Sequence, residues 1–180
     1  MSRLRVIGGA WRSRLIEFPD TEGLRPTPDR VRETLFNWLG QTLHGKTALD
    51  LFAGSGALGF EALSRGAVGV VMVEADRNAV LALRQNAANL EAQNLQICHG
   101  DALHYLTGAS ELFDVVFLDP PYNLELLESL LLLLPRILKP GARVYVEHDK
   151  PLVFNQAWQK LKASRAGQVH FGLLCLAPPD

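Results

Sequence analysis

Cysteine is scarce in this 180-residue chain: Cys98 and Cys175 stand alone in separate apolar runs with no CxxC spacing. That pattern excludes a disulfide framework, and reduced, buried thiols are expected. Metal-ligand spacing is missing among the five histidines as well, so no metal is expected, and His99 and His104 beside Asp101 are read as incidental. Long apolar runs are absent. The richest, "LLESLLLLLPRIL", is too short to span a bilayer and is broken by Pro135, so no membrane partner is expected. The opening "MSRLRVIGGAWRSRL" lacks an apolar core of signal-peptide length, which predicts a cytoplasmic location. An excess of one charge is absent too, and the net charge of −1 rules out a general polycation. Local imbalance is present. Residues 1–14 hold Arg3, Arg5, Arg12 and Arg14 and no acid, a basic arm on a nearly neutral body. With no repeats or interdomain linkers, the chain reads as a single domain over 1–180, monomeric by default.

Between residues 47 and 149 short apolar strands alternate with helices. "TALDLF", "GVVMVEAD", "LQICHGDA", "FDVVFLDP" and, after a "KPG" turn, "ARVYVEHD" read as strands. "ALGFEALSRG" reads as a helix stopped by Gly66, and Asp76 is placed to cap the helix "RNAVLALRQNAANLEA". Strands apolar on both faces predict a mostly parallel sheet covered by helices, a doubly wound α/β fold. The tail "WQKLKASRAGQVHFGLLCLAPP" predicts an antiparallel hairpin at the sheet edge. Residues 1–46 form a small hairpin–helix extension: a hairpin around Gly8-Gly9, then the helix of "TPDRVRETLFNWLG".

"DLFAGSGALG" follows the first of these strands and opens a helix, and Gly54, Gly56 and Gly59 match GxGxxG. Glu74, about twenty residues on, suits the two hydroxyls of a ribose. NAD and S-adenosylmethionine both satisfy this much. Asp50 separates them, because a carboxylate beside the loop repels a pyrophosphate and attracts an ammonium or sulfonium. Asp101 ends the third strand, where it can accept from an adenine amino group. Phe52, Ala53, Gly54, Ser55 and Gly56 form the turn, with Ala75 and Ala102 next to the two later acids. Three acids at consecutive strand ends line the carboxyl edge, where such sheets bind ligands.

The fourth strand ends in Asp119, Pro120, Pro121 and Tyr122. An exocyclic amine on a nucleobase is a poor nucleophile because its lone pair is delocalised into the ring. Acceptors aimed at its N–H bonds favour the pyramidal, reactive nitrogen. Asp119 offers a carboxylate and Pro120 a carbonyl, and proline adds rigidity without a competing N–H. Tyr122 offers a flat ring for stacking an extruded base, worth about 1–3 kcal/mol. Once methylated the amine is acidic, so no strong base is needed.

These residues carry a resemblance. "LDLFAGSGALGFEALSRGA", "VEAD", "GDA" and "FDVVFLDPPY" resemble the successive motifs of class I S-adenosylmethionine-dependent amino-methyltransferases. "RVIGGAWRSRLIEFP" with "GLRPTPDRVRETLFNWL" is similar to the bacterial 16S rRNA guanine-N2 methyltransferase family, across nearly the whole chain. The resemblance implies a Rossmann-like class I methyltransferase fold, S-adenosyl-L-methionine as methyl donor and S-adenosylhomocysteine as product. It also implies the N2 amine of guanine 966 as target, in 16S rRNA within the assembled or assembling small ribosomal subunit. Asp50, the Ala53–Gly56 turn, Glu74 and Asp101 would then contact the cofactor, and Asp119 to Tyr122 the base. Arg25, Pro26 and Thr27 would lie near the methionine end or the substrate entrance, and the arginines of the extension would follow phosphates. Three other readings stand beside it. An adenine or cytosine amino-methyltransferase of DNA or another RNA can use the same clamp. An NAD oxidoreductase is opposed by Asp50, and a non-catalytic RNA-binding relic by the intact Asp119.

Overall fold

A computed structural model describes residues 1–121 and 123–179, the side chain of Leu124 apart. Seven strands form the central sheet: β3 (Thr47–Asp50), β4 (Gly69–Glu74), β5 (Leu95–His99), β6 (Phe113–Leu118), β7 (Leu138–His148), β8 (Trp158–Ala166) and β9 (Val169–Leu176). Their spatial order is β5-β4-β3-β6-β7-β9-β8. The first five run parallel, and β9 and β8 add the antiparallel edge hairpin. The expected doubly wound architecture is therefore present. From β3 the chain winds outward through β4 and β5, then returns to the other side of β3 as β6. Beyond the carboxyl ends of β3 and β6 lies the switch point where such sheets open a crevice.

Local chemistry accounts for the helices. In α2 (Ala57–Ser64) the entry residue Gly56 has φ of +82°, and a Cβ there would lie 2.5 Å from the Phe60 ring and 2.6 Å from Leu83. Asp76 caps α3 (Arg77–Asn89) by accepting from the Ala79 amide at 2.8 Å. Asn123 does the same for α5 (Leu124–Leu133), with the Leu126 amide at 3.1 Å. Two readings need correction. "KPG" is no turn before β7 but lies inside it, where the pairing with β6 slips between Phe113↔Leu138 and Val115↔Arg143. The bulge lets the Lys139 ammonium reach the Asp114 carboxylate at 3.0 Å. The thiols of Cys98 and Cys175 are half-buried on outlying strands, not core groups.

The extension holds β1 (Ser2–Arg5), β2 (Leu15–Phe18) and α1 (Asp29–Leu39). β1 and β2 pair antiparallel from Ser2↔Phe18 to Arg5↔Leu15, and Val6 continues the ladder to Arg14. The expected hairpin around Gly8-Gly9 is therefore present, and its connection is a wide loop because its backbone bonds outward to α2. The Glu61 carboxylate accepts from the Ile7 amide at 2.9 Å and the Gly8 amide at 2.8 Å. Ser64 accepts from Trp11 through its hydroxyl (2.9 Å) and from Ala10 through its carbonyl (2.8 Å). Gly9 is required here: its φ is +78°, and a Cβ would lie 1.9 Å from the Ser64 carbonyl oxygen. On α3, Asn86 clasps the Glu17 backbone through both its N–H and its C=O. Leu4, Val6, Ile16 and Phe18 consequently share one apolar core with Ala48, Phe60 and Val115.

Glu61 is fully buried and ion-pairs with Arg65 (2.8 Å) and with the equally buried Arg32 (3.4 Å). Replacing Glu61 with Ala removes the buried partner shared by Arg32 and Arg65, leaving Arg32, among the described residues, only its pair with Asp29, and frees two loop amides. Chemical denaturation should register a loss of about 3–5 kcal/mol; a loss under 1 kcal/mol would mean that the strap is ornamental.

Candidate active site

Each acid noted in the sequence stands at the carboxyl edge, but they are held differently. Asp50 closes β3 at only 2 % exposure, and its carboxylate accepts from the Gly59 amide at 3.1 Å, in the first turn of α2. The chain then turns through Phe52, Ala53, Gly54, Ser55 and Gly56. The Ala53 amide bonds the Val73 carbonyl at 3.0 Å and the Gly56 amide bonds the Ala53 carbonyl at 2.7 Å. Gly54 sits at φ of +54°, and its amide points to Glu74 at 2.8 Å. The other oxygen of Glu74 accepts from the Asp76 amide at 2.8 Å, which fixes this half-buried carboxylate between two adjoining strand ends. Ala75, beside it, is exposed, and its carbonyl lies 3.0 Å from the His99 ring. Asp101 caps α4 (Ala102–Gly108) through the His104 amide at 2.9 Å, while Ala102 is buried.

Across the switch point, Asp119 is half-buried, Pro120 buried and Pro121 exposed. Tyr122 lies outside the described residues. Asp50 pairs with Phe117 across β3 and β6, so Asp119, two residues on, points to the same face of the sheet. Burial pushes the Asp50 carboxyl up to about 7, the Gly59 amide opposing and the Glu74 charge adding to the rise. Asp119 is raised well above the carboxylate range by burial, then by Glu147 and Asp50. Among the described residues no basic side chain offsets either shift. Such a pocket suits a ligand bearing positive charge and hydroxyl donors, and repels a pyrophosphate. Among the described residues no group of three or more His, Cys, Asp or Glu could hold a metal ion.

The arginine arm is divided. Arg3 ion-pairs with Glu17 at 2.9 Å, and Arg5 bonds the Ser13 carbonyl at 3.3 Å. Arg14 bonds the Asn89 carbonyl at 2.7 Å, and exposed Arg12 borders a cleft of 720 Å³ between the hairpin loop and the carboxyl ends of α1 and α2. That cleft lies at the far end of α2 from the glycine turn, about 12 Å away for an eight-residue helix. Arg25 and Thr27 belong to the loop before α1, which approaches the glycine turn: a Cβ on Gly54 would lie 3.5 Å from Leu24. Arg25 is exposed, whereas Thr27 is buried, with its carbonyl accepting from Arg32 at 3.2 Å.

Sequence reasoning passed over Glu61, Ser64 and Arg32, and it treated "VYVEHD" only as a strand. The available signal was a lone acid inside an otherwise apolar element, Glu61 within "ALGFEALS" and Glu147 within "VYVEH".

The family model described as Conserved hypothetical protein 95 matches residues 4–175. The Ribosomal RNA small subunit methyltransferase D of Haemophilus influenzae is 43% identical over 178 residues, covering 94% of this chain and 92% of that protein. The protein of the same name from Escherichia coli is 43% identical over 177 residues, covering 95% and 89%. A solved structure of a putative methyltransferase from Escherichia coli superposes with a TM-score of 0.88 at 42% identity, covering 96% of this chain and 97% of that one. With an edge of carboxylates around a glycine turn, an Asp-Pro-Pro strand end and these relatives along nearly its whole length, the chain belongs to the Conserved hypothetical protein 95 family, that of the small-subunit ribosomal RNA methyltransferase D proteins.

Proposed function

We propose that this chain transfers a methyl group from S-adenosyl-L-methionine to the exocyclic N2 amine of a guanine in 16S rRNA, at position 966 of the small ribosomal subunit. One observation carries the reading: an uncompensated buried carboxylate, Asp50, stands across the switch point from Asp119 and the rigid Pro120, in a chain whose relatives are named as small-subunit rRNA methyltransferases. S-adenosyl-L-methionine, when bound, supplies a methyl group made electrophilic by a sulfonium and leaves as S-adenosylhomocysteine.

The residues present fit that group. Asp50, with no basic partner, would face its cationic end. Glu74 keeps lone pairs beyond the two amides it accepts and would take the ribose hydroxyls. Asp101 spends one oxygen on its cap and would offer the other to the adenine amine. The turn Phe52–Gly56 lets backbone approach closely, with Ala75 and Ala102 flanking. Asp119 and the Pro120 carbonyl would accept from the target amine, Pro121 would stiffen the strand end, and Tyr122 would stack on the base. The partner is 16S rRNA in the assembled or assembling subunit, with Arg25, Arg3 and Arg5 toward the entrance and Arg12 and Arg14 on phosphates farther out.

The test is to incubate the protein with methyl-labelled S-adenosylmethionine and small subunits from cells lacking the activity, then digest the RNA. Label in N2-methylguanosine at one site is expected; label in methyladenosine would overturn the base assignment. Asp119→Ala should lower the rate by orders of magnitude and leave cofactor affinity intact. An equal loss of both would assign Asp119 to the cofactor instead.

Asp50 yields a pH prediction. Its carboxyl goes from the ordinary 3.8 to about 7 on folding, so the folded chain holds the extra proton between those values. Stability therefore falls as pH rises through that window, by up to about 4 kcal/mol. In Asp50→Asn this fall should vanish, giving a higher Tm than the parent at pH 8, while calorimetry shows cofactor affinity lowered at least about tenfold. Unchanged affinity would remove Asp50 from the cofactor site.

For the outer arginines, Arg12→Glu with Arg14→Glu should weaken RNA binding and lower the slope of log affinity against log salt by about two. Cofactor binding should not move. RNA affinity equal to the parent's at every salt concentration would make the hairpin loop a solvated surface only.

A further inference from the structure

Glu147 has no part in the site as assembled so far, yet it stands beside its central acid. The parallel pairing of β6 and β7 runs Phe117↔Tyr145 and Leu118↔Val146. One step further along both strands brings Asp119 next to Glu147. Alternation puts Asp119, Glu147, Phe117, Tyr145 and Asp50 on one face, because Asp50 is the partner of Phe117 on β3. Glu147 is buried at 5 % exposure, between the buried Val146 and His148 of β7. A carboxylate so placed needs a donor, and Tyr145, fully buried two residues earlier, gives one: its hydroxyl lies 2.8 Å from the Glu147 carboxylate. On the other side of Glu147 lies Phe171 of β9.

We propose that Glu147 is a positioning residue for methyl transfer: anchored by the Tyr145 hydroxyl, its carboxylate strengthens neighbouring Asp119 as acceptor for the target amine. This rests on the proposed reaction. As the nitrogen bonds to the methyl carbon, the carbon–sulfur bond breaks and sulfur keeps the electron pair. The nitrogen gains a positive charge and sheds one proton, which Asp119 takes. A carboxylate whose neighbour is also negative accepts more strongly, both in the hydrogen bond that makes the nitrogen pyramidal and in the proton transfer that follows. The rise of Asp119 above the carboxylate range, with the Glu147 charge second only to burial, agrees with this. Among the described residues the other titratable groups nearby include Asp50 on β3, His148 with Asp149 at 3.1 Å, and His170 on β9.

The test compares the parent with Glu147→Gln and with Tyr145→Phe, which keeps the buried ring and removes only the donor. The first readout needs no substrate: the carboxyl 13C shift of Asp119, assigned by its loss in Asp119→Asn, followed against pH in the free protein. The second is the single-turnover rate on small subunits against pH at saturating cofactor. The Asp119 titration and the acid limb of the rate should both move to lower pH in Glu147→Gln, and by less in Tyr145→Phe. The plateau rate of Glu147→Gln should fall about tenfold, as for one weakened charge-assisted hydrogen bond.

A fallen plateau with neither midpoint moved would make Glu147 merely structural and overturn the inference. A titration that moves without the acid limb would also overturn it, since Asp119 would then not govern the rate. A parent that methylates no small-subunit RNA would sink the proposed reaction, and this role with it, whatever the titration shows.

Discussion

The burial of Glu61 is the constraint on which the arrangement of this molecule turns. Its carboxylate is fully inside the protein and meets two backbone amides of the hairpin loop, the Arg65 guanidinium and the Arg32 guanidinium. Arg32 in turn donates to the carbonyls of Arg5 and Thr27, so one buried ion pair gathers β1, the loop before α1, α1 itself and α2. The Arg65 guanidinium also lies 4.8 Å from the centre of the Phe36 ring, covering that core residue. A buried charge network is poor evidence of net stability, but it is specific: every member is satisfied in one geometry and stranded in others. The hairpin is thereby set in register on the catalytic body.

At the other end of the same helix the logic is reversed. There, among the described residues, no basic side chain offsets the shifts of Asp50 and Asp119. Asp50 and Asp119 stand on either side of the switch point, both raised by burial, Asp50 further by the Glu74 charge and Asp119 by those of Glu147 and Asp50. Glu61 is matched by two guanidinium groups, whereas Asp50 and Asp119 are shifted upward, the pattern expected of a functional site rather than of a structural ion pair of similar burial. Phosphate-bearing dinucleotides are disfavoured by that field, and a ligand with its own positive charge is drawn to it.

How much of this could be read from the sequence depends on the range of the forces involved. The strands, the glycine turn and the Asp76 cap rest on periodicity and on contacts a few residues apart, and these were legible in "GVVMVEAD" and "DLFAGSGALG". The edge hairpin around "RAGQ" was legible for the same reason. The hairpin around Gly8-Gly9 was legible too, but the width of its loop was not, because that shape is dictated by Glu61 and Ser64, more than fifty positions away. The bulge in β7 likewise depends on pairing with β6, and "KPG" by itself looks like a turn. Glu147 was hidden for a third reason. Its neighbour Asp119 is adjacent only through the register of two parallel strands, which no local pattern specifies. The basic arm looked like one patch because charge was counted along the chain, whereas folding sends Arg12 and Arg25 to opposite ends of α2.

Helix α2 ties the two halves together. Its first residue is entered from Gly56 with no side chain capping it from there; Asp50, from the preceding strand, supplies the acceptor by taking the Gly59 amide. The amino end of a helix favours a nearby carboxylate in its ionised form. Burial nevertheless wins, and Asp50 is raised rather than lowered. An arriving positive charge would tip that balance toward the ionised carboxylate without disturbing the bond to Gly59, so the same acid can cap the helix and receive a ligand in turn. Since the far end of α2 is clamped to the hairpin by Glu61 and Ser64, the distance between the crevice and the outer arginines is fixed by one short, rigid element. The spacing of the two regions is therefore built into the fold.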